Sequence, residues 1–148
     1  MPDLSPSWPG NERTGVLAEI IKRGGTVKSS ENVAREQLPE TSVETFFEVD
    51  MRVGRIVVAA LNPKARKPAY RLEIDFGPLG RRTSSAQLTD LYTPDDLIGR
   101  QVLAVVNFPP RRIAGVESQV LVLGVSDETG AVILLAVERE APLGGRVH

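Results

Sequence analysis

The sequence predicts an all-β domain: a small closed five-stranded barrel with one short helix and an N-terminal, partly helical extension. Three observations predict it. Short apolar runs rich in β-branched residues recur between residues 53 and 136, separated by turn-forming stretches. One run alternates strictly between apolar and charged residues. A single short segment with helix-start signals precedes the fourth strand. Closure is the economical arrangement for such strands, because it leaves few edges exposed.

Along the chain, "MPDLSPSWPGN" (1–11) holds three prolines and a glycine and is expected to be extended or disordered. "GVLAEIIKR" (15–23) places Val16, Leu17, Ile20 and Ile21 at helical spacing, and Gly24 and Gly25 end that helix. "TVKSSENVAREQLPETS" is polar and broken by Pro39. Residues 1–44 therefore read as an appendage and 45–148 as the domain. "VGRIVVAAL" (53–61) suits a first strand, and "NPKARKPAY" (62–70) is a basic loop bounded by prolines. In "YRLEIDFG", Tyr70, Leu72, Ile74 and Phe76 share the face turned to the core. "GPLG" (77–80) is a turn, and "RRTSSAQL" (81–88) is a third, more polar strand. In "TPDDLIG" (93–99), Thr93 is the N-cap, Pro94 the first helical residue, and Gly99 closes one or two turns. "QVLAVVNF" (101–108), "QVLVLGV" (119–125) and "AVILLA" (131–136) are further strands, the last two joined by the turn "SDETG". The fold these elements fit is the Greek-key OB barrel.

Composition narrows the chemistry. The chain has 148 residues, 41% hydrophobic and 25% charged, enough for a core that scarce aromatics (5%) make aliphatic. With no cysteine there is no disulfide, thiolate site or thiol nucleophile. The one histidine is the last residue, His148. Ser84 and Ser85 thus lack an imidazole base, and Asp95 and Asp96 are the acids that a first helical turn favours. No ligands fall at zinc or calcium spacing, and no phosphate-cradling GxxxxGK[ST] stretch occurs. A non-catalytic protein without metal or cofactor is the expectation. No apolar stretch reaches membrane-spanning length, and no charged region leads into an apolar block at the start, so a cytoplasmic location is expected.

The basic residues carry the stronger signal. Net charge is −1, yet Lys64, Arg66, Lys67 and Arg71 fall within eight residues with no acid among them. Arg81 and Arg82 open the third strand, and Arg111 and Arg112 occupy the hinge "VVNFPPRRIAGVESQ". Solvated loop charge is the ordinary account of any one such pair. All three basic groups together point to convergence on one rim, where OB folds hold oligonucleotides. Pro109 and Pro110 fix φ and stiffen the presentation of the two arginines. Two readings stand open for Asn107, a reader of a base edge or a turn-closing amide, and two for Phe108, a stacking platform or a core aromatic.

"FFEVDMRVGRIVVA", "RLEIDFG", the long block "SSAQLTDLYTPDDLIGRQVLAVVNFPPRRIAGVESQVLVLG" (84–124) and the ending "LLAVERE…PLGGRV" together resemble the CsaA-type proteins. These are relatives of the tRNA-binding domain appended to methionyl-tRNA synthetases. The resemblance covers about residues 46–148. It implies an OB-fold homodimer with a groove for tRNA or other structured RNA. It also implies an export-related chaperone activity on unfolded polypeptides. Carried onto matching positions, it places Lys64, Arg66, Lys67, Ser84, Ser85, Asn107, Arg111, Arg112, Ser118 and Gln119 in the groove. The broader tRNA-binding pattern has an Asp–Lys pair in the first loop, where this chain has Arg66–Lys67 followed by Pro68.

Overall fold

A strand whose side chains alternate between apolar and charged must turn one face from water, and the computed structural model, which describes residues 37–148, obeys this in its first two strands. β1 (Met51–Leu61) pairs antiparallel with β2 (Tyr70–Asp75). Leu72 and Ile74 on β2 and the following Phe76 have no solvent exposure, and Tyr70 is buried beside them. β2 pairs on its other side with β3 (Arg81–Ala86), in a register that sets Tyr70 opposite Ala86 and Asp75 opposite Arg81. The turn between them uses Gly77 and Gly80, both at positive φ.

β1 serves two partners along its length. Its first half pairs with β4 (Gln101–Val105) and its second half with β2, with a register irregularity between Ile56 and Val58 where the strand bends. Gly54 lets the side chains of Ile74 and Phe76 pack directly on the β1 backbone. A Cβ there would lie 2.5 Å from Ile74 Cγ2 and 2.7 Å from Phe76 Cε1. The edge of β1 that β2 leaves open is covered by the C-terminal segment. Gly144 N donates to Val53 O, Val53 N to Gly145 O, and Val147 N to Met51 O.

After β4 the hinge folds into a hairpin of its own, β5 (Arg111–Ile113) with β6 (Val116–Ser118). Ala114 (φ 49°) and Gly115 (φ 85°) form its two-residue tip, both in the left-handed region that primed hairpin turns require. β7 (Leu121–Val122) then pairs with β4, giving the sheet order β3-β2-β1-β4-β7. The ends of this sheet meet. Gln119 N donates to Thr83 O at 2.8 Å, and Ser84 Oγ donates to Val120 O at 3.0 Å. The result is a nearly closed five-stranded antiparallel barrel of OB type. A second hairpin, β8 (Gly124–Ser126) with β9 (Val132–Leu134), follows the closing strand.

Two short α-helices, and a single 3-10 turn at Gly77–Leu79, complete the described residues. α1 (Val43–Phe47) has Ser42 as its N-cap and crosses the boundary expected at residue 44. α2 (Pro94–Leu97) has the predicted Thr93 cap, reinforced by Asp96 into a reciprocal capping box. α2 inserts the fully buried Leu97 into a core of Ile56, Leu72, Ile74, Phe76, Val102 and Val120. The apolar runs at 101–108 and 119–125 are shorter as strands than their hydrophobicity suggested. Asn107 turns away to bond elsewhere, and Leu123 separates β7 from β8. The helix expected over Val16–Ile21 lies outside the described residues.

Candidate nucleic-acid interface

The loop that joins β1 to β2 begins with a turn whose chemistry is local. Asn62, Pro63, Lys64 and Ala65 form it. Proline supplies the fixed φ at the second position, Ala65 N donates to Asn62 O, and Lys64 N donates to Asn62 Oδ1. Lys64, Arg66, Lys67 and Pro68 follow with their side chains exposed. This loop lies against the tip of the β5–β6 hairpin. Asn62 Nδ2 donates to Ala114 O at 3.2 Å. The stem of Lys64 runs beside Gly115, its Cδ 3.5 Å from where a Cβ would stand. Arg112 Nη1 reaches the same residue from the other side, donating to Gly115 O at 3.1 Å. Two basic segments nearly fifty residues apart in sequence therefore meet at Gly115.

Ion pairing separates this meeting point from the rest of the surface. Arg52 and Arg146 pair with Asp50, Arg55 with Glu140, Arg71 and Arg81 with Glu73, and Arg139 with Glu138. Arg82 donates to Leu79 O, and Arg100 donates to Asp96 O and stands over the Tyr92 ring. Among the described residues, Lys64, Arg66, Lys67, Arg111 and Arg112 have no carboxylate within 4.0 Å. The nearest acid in register is Glu117, across the hairpin from Arg112. These five cations thus lack an ion-paired carboxylate among the described residues, and on the first loop and the hairpin an anion can take the place of water.

Of the three basic groups expected on one rim, two converge and one does not. Ala86, not Arg81, is the end of β3 next to the first loop, because Tyr70 pairs with Ala86. Arg81 and Arg82 stand at the opposite end of that strand, roughly 16 Å away at the usual rise per residue. Arg71 is closer, since it pairs across the sheet with Ser85, although Glu73 neutralises it.

The polar residues carried into the groove by resemblance hold the barrel together. Ser84 and Ser118 are buried, at 1% and 0% exposure. Ser84 Oγ bonds Val120 O, and Ser118 Oγ accepts from Ser85 N. Gln119 Oε1 accepts from Thr83 N and from Thr83 Oγ1. These groups zip β3 to the 118–120 segment, and in this conformation the two buried hydroxyls are out of reach of any ligand. Ser85 remains half-exposed on the outer face opposite Arg71. Asn107 takes its turn-closing reading. Its Oδ1 accepts from Asp50 N and its Nδ2 donates to Glu48 O, both at 2.9 Å, fastening the segment after α1 to the end of β4. Phe108 is half-buried beside it. The residue that sequence reasoning missed is Asn62. Its signal was present as an asparagine before Pro-Lys at a strand end, a turn-initiating composition.

The family model for the "Putative tRNA binding domain" matches residues 51–146. Methionine–tRNA ligase from Porphyromonas gingivalis is 33% identical over 139 residues, covering 92% of this chain and 20% of the ligase. Methionine–tRNA ligase 1 from Sorangium cellulosum is 41% identical over 117 residues, covering 78% of this chain and 16% of the ligase. The chain thus spans about a fifth of the length of the curated ligases it matches. Among solved structures, the chaperone CsaA from Bacillus anthracis superposes with a TM-score of 0.71 at 50% identity, covering 74% of this chain and all of that one. A MetRS-related protein from Pyrococcus horikoshii gives a TM-score of 0.67 at 33% identity, covering 75% of this chain and all of that one.

Proposed function

Because this chain belongs to the tRNA-binding domain family, of CsaA type, we propose that it is a non-catalytic RNA-binding module that grips tRNA between its first loop and its β5–β6 hairpin. The observation that carries the reading is the meeting of Lys64 and Arg112 at Gly115, with Arg66, Lys67 and Arg111 also free of carboxylates. Lysine and arginine on phosphate oxygens supply affinity and position the strand. Ser85 and the donor end of the Gln119 amide are the polar groups beside them that are left to meet a sugar or a base. Ser84, Ser118 and Asn107 act through the framework, by holding the barrel closed and its lower edge tied. Electrophoretic binding of unfractionated tRNA tests the reading. Replacing Lys67 and Arg112 together by alanine weakens the binding about twentyfold if the site is where we place it. An unchanged shift would refute it.

A second reading, polypeptide binding of the export-related chaperone kind, is favoured by exposed apolar residues away from the basic loops. Val43, Phe46 and Phe47 on α1, and Val125, Ile133 and Leu135 on and beside the second hairpin, are large apolar side chains exposed to solvent. The CsaA neighbours bear the chaperone name. Suppression of aggregation of a denatured client, run beside the tRNA assay, separates the two activities. The Lys67/Arg112 double variant keeps the chaperone assay intact if the surfaces are distinct. The same apolar residues favour a homodimer, for which light scattering gives twice the chain mass. A cytoplasmic location accords with tRNA as partner, and fractionation of cells tests it.

A further inference from the structure

We propose that Asn62 is a positioning residue that latches the first loop to the β5–β6 hairpin, so that two groups of cations form one preassembled anion site. The proposal rests on the RNA-binding reading above and assigns a role to a residue that would touch no RNA. Asn62 is buried, at 8% exposure, and each of its four polar groups is engaged. Its N donates to Ala69 O at 2.9 Å, and its O accepts from Ala65 N at 3.2 Å. Oδ1 accepts from Lys64 N at 3.1 Å, and Nδ2 donates to Ala114 O at 3.2 Å. The first three bonds shape the loop itself. The fourth is, among the described residues, the one hydrogen bond that joins residues 62–69 to residues 111–118.

The acceptor is well chosen for a latch. Ala114 is the one described non-glycine residue with positive φ, so its carbonyl sits at the hairpin tip as part of the turn itself. Two loops that move independently must each be ordered when a polyanion binds, and that ordering opposes binding. One partly buried bond between them restrains that relative motion beforehand. The cations themselves contribute nothing to this, since like charges at Gly115 repel. Arg112 is fixed at Gly115 by its own bond within the hairpin, and the Asn62 bond to Ala114 O is the attractive polar contact that keeps the loop bearing Lys64 against that hairpin.

Asn62→Ser separates the two functions of the side chain. A serine hydroxyl accepts from the Lys64 N–H two residues on, as in a serine turn, but is too short to reach Ala114. Asn62→Ala removes both bonds and is the second variant should the first retain a latch through water. Two measurements are made on the folded proteins. Binding of unfractionated tRNA is titrated across salt, and backbone hydrogen exchange is followed in the free protein. The expected result is binding about tenfold weaker at a fixed salt concentration, the loss of one hydrogen bond's net contribution. The log–log salt slope stays unchanged, because every cation is still present. Exchange over residues 111–118 quickens while β1 to β4 keep their protection.

A purely structural role predicts a lower melting temperature with unaltered tRNA affinity for the folded fraction, and that result would overturn the latch. A slope that falls with the affinity would overturn it too, since cations would then have been displaced from phosphate. Wild-type protein that does not bind tRNA would instead remove the RNA-binding reading on which the latch depends.

Discussion

Replacing Lys67 and Arg112 by alanine should make tRNA binding less sensitive to salt by a calculable amount. Five cations on the loop and hairpin lack a carboxylate partner among the described residues. If about four of them meet phosphates, the log–log slope is about −3 for single strands, at about −0.7 per contact, and steeper for duplex. Removing two contacts lowers its magnitude by about 1.4 to 1.8. At roughly 0.15 M salt each lost contact costs about four- to sixfold in affinity, so the pair costs about twentyfold, or about 2 kcal/mol. The assay is fluorescence titration of labelled tRNA at four or more salt concentrations. Arg139→Ala is the control for Lys67→Ala alone, because each removes one positive charge and Arg139 lies in an exposed pair with Glu138 on another part of the chain. It should leave the slope as it is. If Arg139→Ala flattens the slope as much as Lys67→Ala does, net charge and not a local site governs binding, and the reasoning fails.

Three further outcomes test the framework. Gly54→Ala should lower stability by about 1–3 kcal/mol in urea denaturation, because its Cβ must push into Ile74 and Phe76; an unchanged midpoint means the interior is looser than drawn. Ser84→Ala leaves the buried Val120 carbonyl without its partner and should cost about 1–3 kcal/mol on thermal melting, with tRNA affinity of the folded protein intact. A large loss of affinity at unchanged stability would make Ser84 a contact residue after all. In the β8–β9 turn, the Thr129 hydroxyl and then its N–H hold the Asp127 carboxyl below its ordinary value of 3.8. A depressed folded value means the stabilisation is present above that pH and disappears as pH falls through the folded value. Asp127→Asn should therefore be less stable than wild type at neutral pH, with the difference shrinking below about pH 4. A difference that stays constant into acid would refute the assignment.

Much of the barrel was legible residue by residue. The Tyr70–Phe76 alternation assigned β2 and its buried face, Thr93-Pro94 marked α2, and "SDETG" marked the last turn, because each signal is completed within a few residues. The strand ends were less legible. Apolar composition carries the run at 101–108 through Phe108, but Asn107 bonds to Glu48 and Asp50, which are distant in sequence. In the same way, nothing local distinguishes Ser84 and Ser118, inside the barrel seam, from Ser85, whose side chain faces out near Arg71.

The sequence by itself determined the first three barrel strands, the helix cap at Thr93 and which residues are basic, since periodicity, capping and turn chemistry act over two to four residues. Only the tertiary structure decided which of those basic residues stand, among the described residues, without a carboxylate partner. Arg55 finds Glu140 far along the chain, whereas Lys64 and Arg112 find Gly115 and each other's neighbourhood. The physical reason is barrel closure. Joining β3 to the 118–120 segment carries the β5–β6 hairpin onto the first loop and leaves Arg81 at the far end of its strand. Strand register thus sets a cation's surroundings, and register is settled by the whole sheet at once.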